Sequence, residues 1–156
     1  MGIVKKVERM DKVKVVKGDF PVRFVYTMPE HQERFFLELK EKGTFSGVKC
    51  EKCGTVYVPP VWFCEKCFVR TTKAVALPDS GTLHAFTVAR QGPEGQPLAV
   101  PVVFGLIKLR GATTVLVHKV LGEPAKLKPG MRVKAQLKPQ KQRKGSITDI
   151  LGFVPV

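Results

Sequence analysis

Negative charge is scarce in this chain. Thirteen Asp and Glu stand against 27 Lys and Arg, a formal net charge of +14 over 156 residues. Between Glu123 and Asp149 there is no acid at all, while the span holds Lys126, Lys128, Arg132, Lys134, Lys138, Lys141, Arg143 and Lys144. Such an excess attracts polyanions such as nucleic acid, phosphorylated cofactors or acidic partner surfaces, without choosing among them. Part of it also serves as a solvated face. Long apolar runs are missing too, so no membrane-spanning helix is expected. The basic segment Met1 to Lys14 lacks the apolar core of a signal peptide. Lys6 stands where a myristoylation signal needs Ser or Thr. A cytoplasmic protein without membrane attachment is the expectation.

Catalytic vocabulary is equally thin. Histidine is limited to His31, His84 and His118. The last two alternate with apolar residues and have no Ser, Cys or carboxylate beside them in sequence. His31 sits on a helical face, where packing is the simpler role. There is no phosphate-binding P-loop, no G-x-S-x-G, no H-E-x-x-H and no G-x-G-x-x-G. No catalytic residues of the chain's own are expected. A binding or organising subunit is.

Cysteine is absent outside one eighteen-residue stretch, where Cys50, Cys53, Cys64 and Cys67 read C-x₂-C-x₁₀-C-x₂-C. Two such knuckles bring four sulfurs to one tetrahedral ion, and thiolate is a good zinc ligand. Four protein ligands close the site, so the metal is structural and no cysteine remains to act as a nucleophile. Iron in the same S₄ set is the minor alternative, and a disulfide pair in a secreted domain is the other. Gly54 follows the second cysteine, where a knuckle needs a permissive backbone.

Around the cysteines, the periodicity predicts a mainly β protein. Residues 1–27 form an N-terminal arm with two β-prone runs, Val13–Val16 and Val22–Tyr26. Residues 28–73 hold an amphipathic helix and the zinc ribbon. The helix runs from Met28 to Lys42 at most, with Thr27-x-x-Glu30 as a capping box, His31, Phe35, Phe36 and Leu39 on one face, and Gly43 as its stop. Residues 74–156 carry five strands, at Thr82–Val88, Val100–Leu109, Thr113–Val120, Met131–Leu137 and Ser146–Val154. The segment from Gln91 to Pro97 is an exposed connection. Five short strands without intervening helices suit a closed five-stranded OB-fold barrel. Between the knuckles lies an apolar tongue from Val56 to Phe63, with the chain's only Trp. A ribbon this small cannot bury all of it. Tyr57, Pro59, Pro60, Trp62 and Phe63 are therefore candidate partner contacts, with packing against the helix or barrel as the plainer role.

These residues carry a resemblance. Phe35–Leu39, the string Cys50-x₂-Cys53-Gly54-x₂-Tyr57-x-Pro59-Pro60, Cys64-Glu65-Lys66-Cys67, Ser80–Val88 with Gly81-Thr82 and Phe86-Thr87-Val88, and Leu127–Val133 follow in register. Over residues 28–155 the chain resembles the small zinc-ribbon/OB-fold proteins associated with acyl-CoA enzymes. The resemblance implies a zinc-binding accessory subunit of a thiolase-like catalytic partner in a hetero-oligomer. Such a subunit bridges catalytic chains and helps hold the CoA ester, while the partner carries the catalytic Cys and His. Thiolase small subunits fit best, including the one for benzoylsuccinyl-CoA in anaerobic aromatic degradation. Lys138, Lys141, Arg143 and Lys144 are then candidates for CoA phosphates. The rival class is a nucleic-acid-binding zinc-ribbon/OB-fold protein, a weaker fit because the barrel offers only Phe86, Phe104 and Phe153 for stacking. A scaffold without any ligand is the third reading.

Overall fold

The computed structural model describes residues 23–156. The run Val13–Val16 and the residue Val22 lie outside them. The rest of the second β-prone run forms no strand; Phe24, Val25 and Tyr26 are exposed.

The first helix, α1, spans Glu30–Glu41. It begins later than Met28, and the expected Thr27 cap does not form. Pro29 disfavours helical backbone at the residue before it, so the N-cap falls on Pro29 itself, with no side-chain cap. Its carbonyl accepts from the backbone N–H groups of Gln32 and Glu33 at 2.9 and 3.0 Å. Glu30 and Glu33 place negative charge against the positive helix end. Gly43 closes the other end at φ 70°, donating to the carbonyls of Glu38 and Leu39.

Three antiparallel strands follow as a small sheet in the order β2-β1-β3, with β1 at Phe45–Lys49, β2 at Val56–Tyr57 and β3 at Lys73–Leu77. The strand β3 straddles the 73/74 boundary drawn from the sequence, so the start of the barrel segment belongs to the ribbon sheet.

The remaining strands are β4 (Ser80–Gln91), β5 (Pro97–Leu109), β6 (Leu116–Val120), β7 (Arg132–Leu137) and β8 (Ile150–Pro155). They close into a barrel in the order β4-β5-β6-β8-β7, with β7 returning to β4. All neighbours are antiparallel except β6 and β8, which meet in parallel at Val120 and Phe153. This is the OB-fold arrangement expected from the sequence. Details differ. The hairpin β4–β5 zips up to Gln91 opposite Pro97, so the exposed connection shrinks to residues 92–96. Pro97 is tolerated because it opens its strand. Thr113 to Val115 lie outside β6, and residues 147–149 form a 3₁₀ turn instead of strand.

A single apolar cluster joins helix, ribbon and barrel, with Phe35 and Leu39 from α1, Phe45 from β1 and Ile107, Val133 and Phe153 from the barrel all fully buried or nearly so. Phe45 sits between the others, its ring 6.3 Å from Phe35 and 6.4 Å from Phe153. Among the described residues no helix is long and apolar enough to cross a membrane. Because no one element can close over the hole left by a missing ring, Phe45→Ala should cost about 3–5 kcal/mol. Denaturant unfolding followed through Trp62 and through backbone circular dichroism checks this, and a loss under ~1 kcal/mol would refute a shared core.

Candidate metal centre and the tongue it holds

The two knuckles are built alike. Cys50 N–H donates to the Thr55 carbonyl at 2.8 Å and Gly54 N–H to the Cys50 carbonyl at 2.8 Å. In the second knuckle, Cys64 N–H donates to Val69 at 2.9 Å and Phe68 N–H to Cys64 at 2.8 Å. The repeat extends to the backbone: Gly54 has φ 74° and Phe68, at the equivalent place, has φ 52°. A glycine adopts that conformation freely, whereas an L-residue pays about 1–2 kcal/mol for it.

The four cysteine sulfurs all lie within 4.8 Å of one another. Cys53 and Cys64 are 3.6 Å apart, close to the ~3.8 Å edge of a tetrahedron with Zn–S bonds of about 2.3 Å. The donors converge on one point rather than pairing off as two bridges, and the all-thiol set fits zinc. Their surroundings prepare ionisation. A hydrogen bond with the Thr55 hydroxyl, at 3.2 Å, and the Thr55 backbone pull the Cys53 thiol down to about 6. The Tyr57 hydroxyl lies 3.2 Å from Cys64 Sγ and lowers that thiol against the effect of burial. The same hydrogen bond, helped by burial, raises Tyr57 to about 12, so its O–H donates to the sulfur. Burial pushes Cys67 up to about 12. A divalent cation in the cluster supplies the charge that lets all four thiols bind as thiolates.

The expected partner-contact set divides. Tyr57 and Pro60 are buried, so Tyr57 belongs to the metal centre and not to an outer face. Pro59, Trp62 and Phe63 are exposed, Trp62 at 42% and Phe63 at 53%. The Trp62 and Phe63 rings stack with centroids 6.1 Å apart, and the Arg70 guanidinium lies over both, 5.2 Å from Trp62 and 6.0 Å from Phe63. Phe68, 84% exposed, projects from the same knuckle loop. Beside them is a cavity of about 430 Å³ between the start of α1 and the tongue, lined by Met28, His31, Trp62 and Arg70. Buried Thr71 anchors the base of the tongue, its hydroxyl donating to the carbonyls of Val61 and Trp62.

The ribbon is clasped to the barrel by two residues the strand pattern misread. Thr113 and Thr114 leave β6 and bond the free edge of β2. Val56 N–H donates to Thr113 Oγ1 at 3.0 Å, Thr113 N–H to the Val56 carbonyl at 2.8 Å, and Val58 N–H to Thr114 Oγ1 at 2.9 Å. A Thr-Thr pair after a turn carries no sequence signal for such a role. Phe68 was findable, because it stands where the first knuckle has Gly54.

The basic set Lys138, Lys141, Arg143 and Lys144 lies on one loop, but Arg143 is spent on structure. Its Nε donates to the Lys138 carbonyl at 2.8 Å and its guanidinium reaches the Leu39 carbonyl at the end of α1. Gln140 likewise donates to Glu41 O at 2.7 Å. Lys138 is half-buried, while Lys141 and Lys144 are exposed. The loop is pinned by Asp149, fully buried, whose carboxylate accepts from the backbone N–H groups of Lys144, Gly145 and Ser146 at 2.7–3.1 Å. Burial alone would raise this carboxyl, but those donors and nearby Lys138 hold it below its ordinary range.

His84 is exposed. His118 is half-buried, with Nε2 3.3 Å from the Ile147 carbonyl and Nδ1 buried without a partner. Burial lowers its pKa, which favours the neutral ring. Of the three barrel aromatics, Phe153 is buried, Phe86 is partly so and Phe104 is exposed.

A four-thiol knuckle pair on a three-stranded ribbon, sharing a core with a closed five-stranded barrel, defines the class of zinc-ribbon/OB-fold proteins. Two family models match back to back: the rubredoxin-like zinc ribbon domain of ChsH2 over residues 38–72 and the C-terminal OB-fold domain of ChsH2 over residues 74–138. The chain belongs to this zinc-ribbon/OB-fold family, known as DUF35. It is 29% identical over 103 residues to a DUF35 domain-containing scaffold protein of Methanocaldococcus jannaschii, a stretch covering 65% of this chain and 73% of the relative. The crystal structure of a DUF35-family protein of unknown function from Sulfolobus solfataricus is similar at 26% identity and a TM-score of 0.60, covering 81% of this chain and 84% of that one. The fold is shared as well with a chain of the Ltp2-ChsH2(DUF35) aldolase, at 23% identity and a TM-score of 0.59, covering 84% and 98% of the two chains.

Removing the hydroxyl beside Cys64 should loosen the metal without unfolding the ribbon. Tyr57→Phe is expected to release zinc to a competing chelator about tenfold more readily; unchanged release would show that the hydroxyl merely fills space. Asp149→Asn should destabilise the protein by about 2 kcal/mol at neutral pH. A carboxylate held low when folded stabilises above its unfolded value of about 4, and that contribution fades as pH falls through the lower folded value. The gap between variant and parent should therefore narrow in acid, as thermal melts across a pH series will show.

Proposed function

We propose that this chain is a non-catalytic, zinc-containing accessory subunit that docks on a thiolase-like catalytic partner and helps to hold a CoA ester there. The observation that carries the reading is the aromatic face of the tongue. Trp62, Phe63 and Phe68 stand in solvent on the loop that carries the second pair of cysteines, with Arg70 over the Trp62 and Phe63 rings. Aromatic and Arg side chains on a rigid support are the usual anchors of a protein interface. Phe68 adds to this, since a large apolar ring 84% exposed sits on a backbone held at φ 52°. The relatives support the same direction. One is named a scaffold protein, and another was solved as part of an aldolase named for two components.

The finer reading is an acyltransferase complex, in which the partner supplies the catalytic Cys and His. Benzoylsuccinyl-CoA thiolysis in anaerobic aromatic degradation is the substrate we propose. Lys138, Lys141 and Lys144 remain the loop cations offered to CoA, to its ribose phosphate, with Arg143 holding the loop in place. Nucleic acid fits less well, because Phe153 is inside the core and the barrel presents no row of stacking rings.

Co-expression with a thiolase-fold protein encoded beside it, followed by co-purification and a CoA-dependent thiolysis assay, tests the proposal. Trp62→Ala should weaken the complex by about 2 kcal/mol, some thirtyfold in Kd. Phe68→Gly separates interface from stability: it should leave the melting temperature undiminished, because glycine accepts the positive φ, and still weaken partner binding. A complex of full affinity in both variants would refute this face as the dock.

A further inference from the structure

Away from the ribbon, strand register gathers cations on the outer face of the barrel. Thr82 on β4 pairs with Lys108 of β5 on one side and with Arg132 of β7 on the other. The three residues therefore form one row across three strands, and all three are exposed. Side chains alternate along a strand, so the next outward row lies two residues away. There Ser80 pairs with Lys134 of β7, and its carbonyl accepts the backbone N–H of Arg110 at 3.0 Å on the β5 side. Two adjacent rows thus read Lys108–Thr82–Arg132 and Arg110–Ser80–Lys134. Lys134 is paired with Asp79 at 3.7 Å. Among the described residues, Lys108, Arg110 and Arg132 have no carboxylate in ion-pair range.

A cavity of about 500 Å³ opens over these rows, lined by Ser80, Thr82, Lys108, Arg110 and Arg132 and by Val156, whose backbone N–H donates to the Arg132 carbonyl. Neighbouring strands lie roughly 4.8 Å apart, so the flanking cations of a row start about 10 Å apart and can converge on one group between them. Like charges on either side of one strand repel at that distance, and an anion seated between them removes that cost. The donor set suits phosphate oxygens: two guanidinium forks, one ammonium and two hydroxyls. No aromatic residue lines the cavity, so a nucleic-acid base would find nothing to stack on.

We infer that this pair of rows is a binding site for the diphosphate group of a small phosphorylated ligand. It is separate from the basic loop at residues 138–144. The site stands on register and charge alone; taking the diphosphate to be that of CoA rests on the function proposed above. The test is calorimetric titration of the full chain at about 0.1 M salt, where long-range attraction is largely screened, with inorganic pyrophosphate and, separately, with CoA. Arg110→Gln and Arg132→Gln, both at exposed positions, should each weaken pyrophosphate roughly tenfold. Lys73→Gln, at an exposed position on the ribbon strand β3, should leave its affinity unchanged. Absence of pyrophosphate binding, or equal loss in the Lys73 variant, would overturn the site. So would displacement of pyrophosphate by a single-stranded oligonucleotide whose binding also needs Arg132. Pyrophosphate binding without CoA binding would support the site and refute the CoA ligand. Co-purification of the partner with Arg132→Gln, which should be undiminished, reports on the docking face independently.

Discussion

The structure depends on one shared core, and Phe45 is its hinge-pin. A three-stranded ribbon with a two-residue strand cannot enclose an apolar interior, and a lone twelve-residue helix is marginal in water. Both become stable by burying Phe45, Phe35 and Leu39 against the barrel, where Phe153 meets them. The Thr113–Thr114 clasp adds direction to what hydrophobic contact leaves free, because it satisfies the backbone edge of β2 at fixed register. Ribbon and barrel therefore share one core and one hydrogen-bonded seam.

Zinc solves a different problem. Its four thiols fix the far end of the ribbon, where there is too little apolar mass to fold a loop, with only Val48, Cys50, Tyr57 and Cys64 in the second buried cluster. The metal thus frees the aromatic residues of the tongue from folding duty. Trp62, Phe63 and Phe68 can remain in solvent because their backbone is held from beneath by sulfur, Tyr57 and Thr71. The same division runs through the basic residues. Arg143 and Gln140 tie their loop to the carbonyl end of α1, whereas Lys108, Arg110 and Arg132 have no ion-pair partner among the described residues.

Much of this was legible in the residues. The cysteine spacing gave the metal set, the period-2 runs gave five barrel strands, and Gly43 and Gly54 marked two of the positions that take positive φ. The departures have physical causes. The helix start moved because Pro29 restricts its predecessor, and Ser146–Asp149 became a turn because the Asp149 carboxylate organises three backbone donors. Tyr57 looked like a surface aromatic by its neighbours, yet its hydroxyl has a sulfur partner that no local pattern reveals.

The sequence by itself determined the class: a four-thiol zinc ribbon before a small closed barrel, strongly cationic. Those features are local, since knuckle spacing, alternation and composition act within a few residues. Only the tertiary structure decided which side chains are spent and which are free. It buried Tyr57, committed Arg143, left Phe68 in solvent, and aligned Lys108 with Arg132 through Thr82 although 24 positions separate them in the chain. Register across strands is set by closure of the whole barrel, a condition no single segment contains.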